Sequence, residues 1–345
     1  MSIYTFNRRQ ILQGALAAAT VPFAVGCSSG NSADGSEPLI VGGLPVTCNL
    51  TLPVACVGKE HAIKAGLAKN NFRFEYSKYS GWPEIKESLM AGRIQAGYML
   101  APLVMDLADK DIPVKIVSLG HRSGAVIMVR QDSSYQKFAE LRGKRIAVPS
   151  RFAVDFLFLR KMLARENMTP DDIEIVEMPP PDMPAALYAD AVDAYCTGEP
   201  FGAAAQRAGY ARVLRMTRDE WRNYICCVLT VREELIQQHR PLVQDLVNQI
   251  QGAGIWLDEK QENRNKAVAI ASGRGFFNQD PNILQFVMEN PTDRVTYGDL
   301  RMIREEFDEL MRLSIEAGTI KHEIPFETYT DESFVKAAQA APIPL

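Results

Sequence analysis

The stretch Val176-Glu177-Met178-Pro179-Pro180-Pro181-Asp182-Met183-Pro184, followed after a short helix by Asp193-Ala194-Tyr195-Cys196-Thr197-Gly198-Glu199-Pro200-Phe201, decides how this chain is read. A short apolar strand over 194–196 breaks at Gly198 and gives way to an Ala-rich helix from Pro200, since proline suits the first turn of a helix. Backbone N–H groups left free at such a helix start can hold a small ligand through donors and the helix dipole, without a dedicated charged side chain. The plainer reading of the same residues is an ordinary strand-to-helix turn.

Outward from this stretch, apolar runs of strand length alternate with segments of helical period. Strands are read over 39–42, 72–77, 96–100 and 114–119, with helices over 53–69, 84–90 and 104–108 between them. After Gly120 the pattern restarts, with strands over 125–130, 145–149, 173–178, 194–196 and 211–216 and helices over 153–166, 184–190 and 200–208. From Tyr224 the chain returns through a strand over 226–231 to packing helices over 232–257, 264–273 and 300–316, and the tail over 326–345 carries no functional signal. Such alternation predicts mainly parallel sheets covered on both faces, with ligands bound beyond the carboxyl ends of the strands. Because one unit is inserted into the other, the chain is expected to cross between two lobes twice, and a two-connector hinge permits closure on a ligand.

Composition agrees with two lobes. The 345 residues are 47% apolar, enough for one large core or two medium ones. A formal charge of -4 and a pI near 5.7 exclude nucleic acid and a polybasic membrane surface, which need clustered Lys and Arg. At the amino terminus Arg8-Arg9 precede an apolar run over 11–26 that ends at Gly26-Cys27. The run is too short for a bilayer span of about 20 residues and reads as an export leader. Gly26-Cys27 resembles a lipoprotein cleavage site, with Ala24 where a Leu is expected. Asn7-Arg8-Arg9 resembles a twin-arginine signal, a general-export leader being the alternative. Residues 28–37 read as a flexible tether.

Of the six cysteines, Cys48, Cys56, Cys196, Cys226 and Cys227 remain after Cys27, an odd number in an exported chain. Cys48 with Cys56 is a candidate bridge. Cys226-Cys227 reads as buried thiol, because no Cys-x-x-Cys spacing or nearby His in the sequence supports a metal. None of the four histidines stands in a metal-ligand spacing, and no Gly-x-Ser-x-Gly or phosphate-binding loop is present. No catalytic residue, cofactor or metal is expected.

The run from Glu177 to Asp182 together with Asp193 to Phe201 resembles the signature of periplasmic substrate-binding proteins of the nitrate, bicarbonate, sulfonate and taurine ABC importers. Further likeness lies in Ser80-Gly81-Trp82, Gly97-Tyr98-Met99-Leu100-Ala101-Pro102 and Leu157 to Leu163, and it is nearest the nitrate/bicarbonate branch. The resemblance implies a type II periplasmic-binding fold, with a leader over 1–27, a tether over 28–37, one lobe over 38–120 plus 225–345 and a second over 121–224. It further implies a lipid-anchored monomer outside the cytoplasmic membrane that passes one small molecule to an ABC permease and its ATPase.

Candidate ligand groups are Asn49, Thr51, Trp82, Met99, Ala101, Arg122, Ser123, Asp155, Gly198 and Glu199, with Cys27 as the lipidation site. Several have a structural alternative: Trp82, Met99 and Ala101 as core, Arg122 as a hinge charge, Asp155 as a helix cap, Glu199 as a loop-orienting group. By resemblance, Asp155 stands about where nitrate- and bicarbonate-binding relatives carry a ligand-contacting histidine, and Cys227 where they carry a lysine. A carboxylate in place of two basic groups disfavours a small anion, so a neutral or cationic nitrogen-containing ligand is expected. The alternatives are a small anion such as nitrate, bicarbonate or a sulfonate, a ligand-sensing subunit, and a pyrimidine-forming enzyme of the wider fold family.

Overall fold

The computed structural model describes residues 37–222 and 224–345. The expected leader, Cys27 and the tether as far as residue 36 lie outside the described residues. Strand β1 (Leu39–Gly43) opens the first sheet, buried at every position but Ile40. It is followed by α1 (Thr51–Lys64), β2 (Phe74–Lys78), α2 (Trp82–Met90), β3 (Ala96–Leu100), α3 (Ala101–Asp109) and β4 (Val114–Leu119). A two-residue strand, β5 (Arg122–Ser123), leads into the second sheet. There the order is β6 (Ala125–Arg130), β7 (Arg145–Val148), α4 (Val154–Arg165), β8 (Glu174–Glu177), α5 (Met183–Tyr188), β9 (Ala194–Gly198), α6 (Phe201–Arg207), β10 (Ala211–Met216) and α7 (Thr217–Glu220). The return consists of β11 (Cys227–Arg232), α8 (Glu233–Glu259), α9 (Gln261–Ala271), α10 (Pro281–Glu289), β12 (Val295–Thr296), α11 (Arg304–Glu316), α12 (Phe326–Tyr329) and α13 (Ser333–Lys336).

One five-stranded sheet has the order β2-β1-β3-β11-β4 and the other β10-β6-β9-β7-β8. Read from its far edge, the second sheet repeats the plan of the first, with β6 in the place that β11 holds. The expectation of mainly parallel sheets is corrected to mixed ones. β11 is antiparallel to β3 and β4, and β6 is antiparallel to β9 and β10, while β1 with β2 and β3, and β7 with β8 and β9, are parallel. A strand that arrives from the other sheet enters where its neighbours end, so it must run back along them. Accordingly Cys227 pairs with Leu100 at the end of β3, and Ala125 with Gly198 at the end of β9. Both crossings therefore lie at the carboxyl ends of both sheets.

Strand alternation sorts the cores. Ile127 and Val129 of β6 face the larger core, while Val126 and Met128 join a smaller cluster with Met183, Leu187, Tyr195 and Ala205. The segment read as one helix over 232–257 is kinked, with His239 at non-helical φ/ψ just before Pro241, which lacks an N–H for the ladder. Helix α10 and strand β12 were not expected. α10 starts at Asp280, whose carboxylate caps the N–H of Asn282 at 2.8 Å, with Pro281 in the first turn.

Candidate ligand site at the strand ends

Where the two sheets' carboxyl ends meet, a buried polar seam forms. Beyond β1 the chain makes a single 3-10 turn, Thr47–Asn49, whose residues are all buried. The turn touches the second sheet directly: the Thr47 backbone N–H and hydroxyl donate to the Glu199 carbonyl at 2.9 and 3.0 Å. His121 follows β4, Asp155 opens α4, Thr197 ends β9, and Tyr224, Cys226 and Cys227 lead into β11; each is at most 2% exposed. Unpaired polar atoms collect on these residues: Asn49 Nδ2, His121 Nδ1, Asp155 Oδ1, Thr197 Oγ1 and the Tyr224 hydroxyl. Buried polar groups are ordinarily hydrogen-bonded, so these orphans on elements of both sheets are the candidate ligand-facing groups.

Electrostatics in the seam follow from dehydration. Burial raises the Asp155 carboxyl to about 7, and its own backbone N–H offsets this only in part. Asp155 is the second residue of α4, whose N-cap is Ala153, so it does not cap the helix. Burial also lowers His121 to about 4, which leaves the imidazole neutral at physiological pH. The Cys227 thiol is pushed well up by burial, and contact with a neighbouring thiol does the same for Cys48 and Cys226.

The expected site residues divide into two groups. Asn49 and Asp155 keep a free polar atom in the seam, and the Trp82 indole N–H is likewise buried without a partner. Gly198 touches the seam: a Cβ there would stand 3.0 Å from Cys48 Sγ. The other polar members are engaged within the protein. The Thr51 hydroxyl pairs with Tyr98 at 2.7 Å. Ser123, at φ 61°, meets the Thr217 hydroxyl at 3.2 Å. Arg122 donates to the Glu306 carboxylate at 2.8 Å and to the carbonyls of Asp299 and Arg301 at 2.8 and 3.0 Å. Glu199 binds Arg294 Nε at 2.7 Å and accepts the Ala203 N–H at 2.8 Å. That carboxylate therefore occupies a donor at the start of α6 that the sequence reading left open to a ligand. Met99 and Ala101 are fully buried, and the Ala101 N–H donates to the Cys226 carbonyl at 3.1 Å.

Cys48, His121, Cys226 and Cys227 were not among the expected site residues. Their ligand-type atoms all lie within 4.8 Å of one another. All described cysteines are free, so the candidate Cys48–Cys56 bridge is absent: Cys48 faces Cys226 and Cys227 instead. Three separate segments supply the cluster, so no local spacing in the sequence announces it. The adjacent Cys226-Cys227 pair was the one signal.

Two mixed α/β units joined by two crossings, with both sets of strand ends turned on a buried seam, define a periplasmic-binding-protein fold. The family model of the NMT1-like family matches residues 32–272, and the chain belongs to that family. Among curated relatives, the nitrate/nitrite binding protein NrtA of Nostoc sp. is 27% identical over 251 residues, covering 66% of this chain and 56% of that protein. The chain thus spans little more than half the length of that relative. Among solved structures, the ligand binding component of an ABC-type import system from Staphylococcus aureus, with zinc bound, superposes with a TM-score of 0.78 at 24% identity, covering 88% of this chain and 100% of that one. The periplasmic nitrate-binding protein NrtA from Synechocystis PCC 6803 gives 0.75 at 18% identity, covering 87% and 88%.

Proposed function

We propose that this chain is the extracytoplasmic solute-binding component of an ABC importer, anchored through Cys27. Its two lobes, 38–120 with 225–345 and 121–224, close on one small molecule and pass it unchanged to a permease driven by an ATPase. The observation that carries the reading is the set of orphaned polar atoms at the strand ends of both sheets. Each buried group left unpaired costs about 1–3 kcal/mol, so a solute that pairs with several is held by the closed form and not by the open one.

The solute is neutral or cationic and nitrogen-bearing, of the size of an amidine, a urea or a pyrimidine. A carboxyl held at about 7 by burial loses its proton to solvent most readily when a bound partner supplies N–H donors or positive charge that stabilise the carboxylate. Arg122 and Arg294, which an anion would need, are bound to Glu306 and Glu199. A nitrate-like anion is the second reading, supported by the likeness to the NrtA proteins.

The test is native mass spectrometry of protein from its own host, followed by a thermal-shift screen of small nitrogen compounds and of nitrate, bicarbonate and taurine. A solute at 100 times its Kd stabilises by about 2.7 kcal/mol. The shift should come from a neutral or cationic compound and disappear in Asp155→Ala. A shift from nitrate that survives in Asp155→Ala would establish the anion reading instead. A chemically altered product recovered after incubation would point to an enzyme.

A further inference from the structure

We propose that Cys48, His121, Cys226 and Cys227 form a binding site for a tetrahedral, thiophilic divalent cation, Zn2+ being the representative ion. All four residues are buried, and their Sγ and imidazole nitrogen atoms lie within 4.8 Å of one another. Zinc bound by thiolates has Zn–S distances of about 2.3 Å, which places two sulfurs on one tetrahedron about 3.8 Å apart. Cys226 Sγ and Cys227 Sγ are 3.8 Å apart. A disulfide would need about 2.05 Å, so the two thiols are in contact and unbonded, at a separation a zinc tetrahedron could take over without moving them.

The backbone fixes each donor. Gly120 N–H donates to the Cys227 carbonyl at 2.9 Å and Ala101 N–H to the Cys226 carbonyl at 3.1 Å, so the pair is tied to the ends of β4 and β3. The turn bearing Cys48 is tied to Glu199 by Thr47 and to Tyr297, whose hydroxyl donates to the Thr47 carbonyl at 2.9 Å. His121 Nε2 accepts the Cys227 N–H at 3.4 Å, a long hydrogen bond that an ion taking the same lone pair would displace.

Binding balances simply. Three S–H protons leave to solvent as three Zn–S bonds form, and the neutral imidazole contributes its lone pair to the fourth. Three thiolates and one divalent ion leave a single negative charge, which suits a buried site better than three thiolates alone.

The experiment uses the full chain, reduced and freed of metal by chelation, and titrates it with Zn2+ and with Co2+ as the spectroscopic probe. One ion per chain is expected, with proton release, a rise in melting temperature, and the thiolate-to-cobalt and visible bands of a tetrahedral cobalt thiolate site. Loss of outer contacts to a metal ligand costs 10–100-fold in affinity, so Cys48→Ser and His121→Gln, each removing a ligand, should weaken Zn2+ binding by at least about 100-fold. Cys56→Ser, outside the cluster, should bind as the parent does. Cys226→Ser stands in for either variant whose circular dichroism shows that it has not folded. Absence of the cobalt thiolate bands in the parent overturns the proposal, as does undiminished affinity in folded Cys48→Ser. A solute shift that depends on Asp155 without Zn2+ binding removes the metal site alone, whereas Zn2+ binding without any solute shift removes the solute reading alone.

Discussion

Asp155 stands at the second position of α4, where the helix dipole favours a carboxylate by about 0.3–1 kcal/mol. Dehydration wins: a rise from the ordinary carboxyl value to about 7 corresponds to roughly 4 kcal/mol against the charged form. The groups that face it are the Tyr224 hydroxyl and the thiols of Cys48, Cys196, Cys226 and Cys227, with no cation among them. Since the folded value lies above the unfolded one, this carboxyl's contribution to stability is complete below about pH 4, is lost as pH rises to about 7, and stays lost above. Asp155→Asn should therefore match the parent near pH 4 and exceed it by roughly 4 kcal/mol above pH 7.5, as urea melts across that range would show. The difference between the two proteins cancels the opposite slope from His121. Glu199 is a buried carboxylate that has an ion-pair partner. Arg294 beside it, itself 1% exposed, keeps it paired, so Arg294→Met should destabilise by about 3–5 kcal/mol in chemical denaturation.

Helix α6 shows how an element can be legible while its role is not. Gly198, Pro200 and the alanine run announced a strand end and a helix start; the strand runs two residues further than read, to Gly198, and the helix begins at Phe201 with Pro200 as its N-cap. That Glu199 folds back on the helix's first turn was not legible, because its partner Arg294 is 95 residues away in the chain. Gly202 is needed there for space: a Cβ would come 2.4 Å from Val126 Cγ2 and 2.9 Å from Glu199 Oε1. Gly202→Ala should cost about 1–3 kcal/mol, read from its denaturation midpoint at unchanged slope. Strands β3, β4, β6 and β10 begin and end where their runs were read, and β4 has the clearest punctuation, Pro113 before it and Gly120 after it. α10 escaped notice because its Asn-rich, Pro-flanked start reads as loop.

At the scale of the molecule, two sheets of one plan exchange a strand each, and the crossings are tied to one another. The Thr217 hydroxyl of the second crossing meets Ser123 Oγ and the Ala125 N–H of the first, both at 3.2 Å. Thr47 makes the corresponding bond across the seam, its hydroxyl 3.0 Å from the Glu199 carbonyl. One such bond contributes about 1 kcal/mol net. If closure holds the solute, Thr47→Val should raise the solute's Kd about fivefold, mostly through faster release, with small-angle scattering showing less compaction on saturation. The alternation of strands and helices, the restart after Gly120 and the Gly198–Pro200 turn determined by themselves that this chain builds two joined α/β units with strand ends facing a seam, because periodicity and backbone punctuation are local properties. Only the tertiary structure decided which side chains share that seam. Cys48, His121, Asp155, Thr197 and Cys226 come from distant segments; their burial, the missing partners of His121, Asp155 and Thr197, and the shifted protonation of Cys48, His121, Asp155 and Cys226 arise from being brought together out of water.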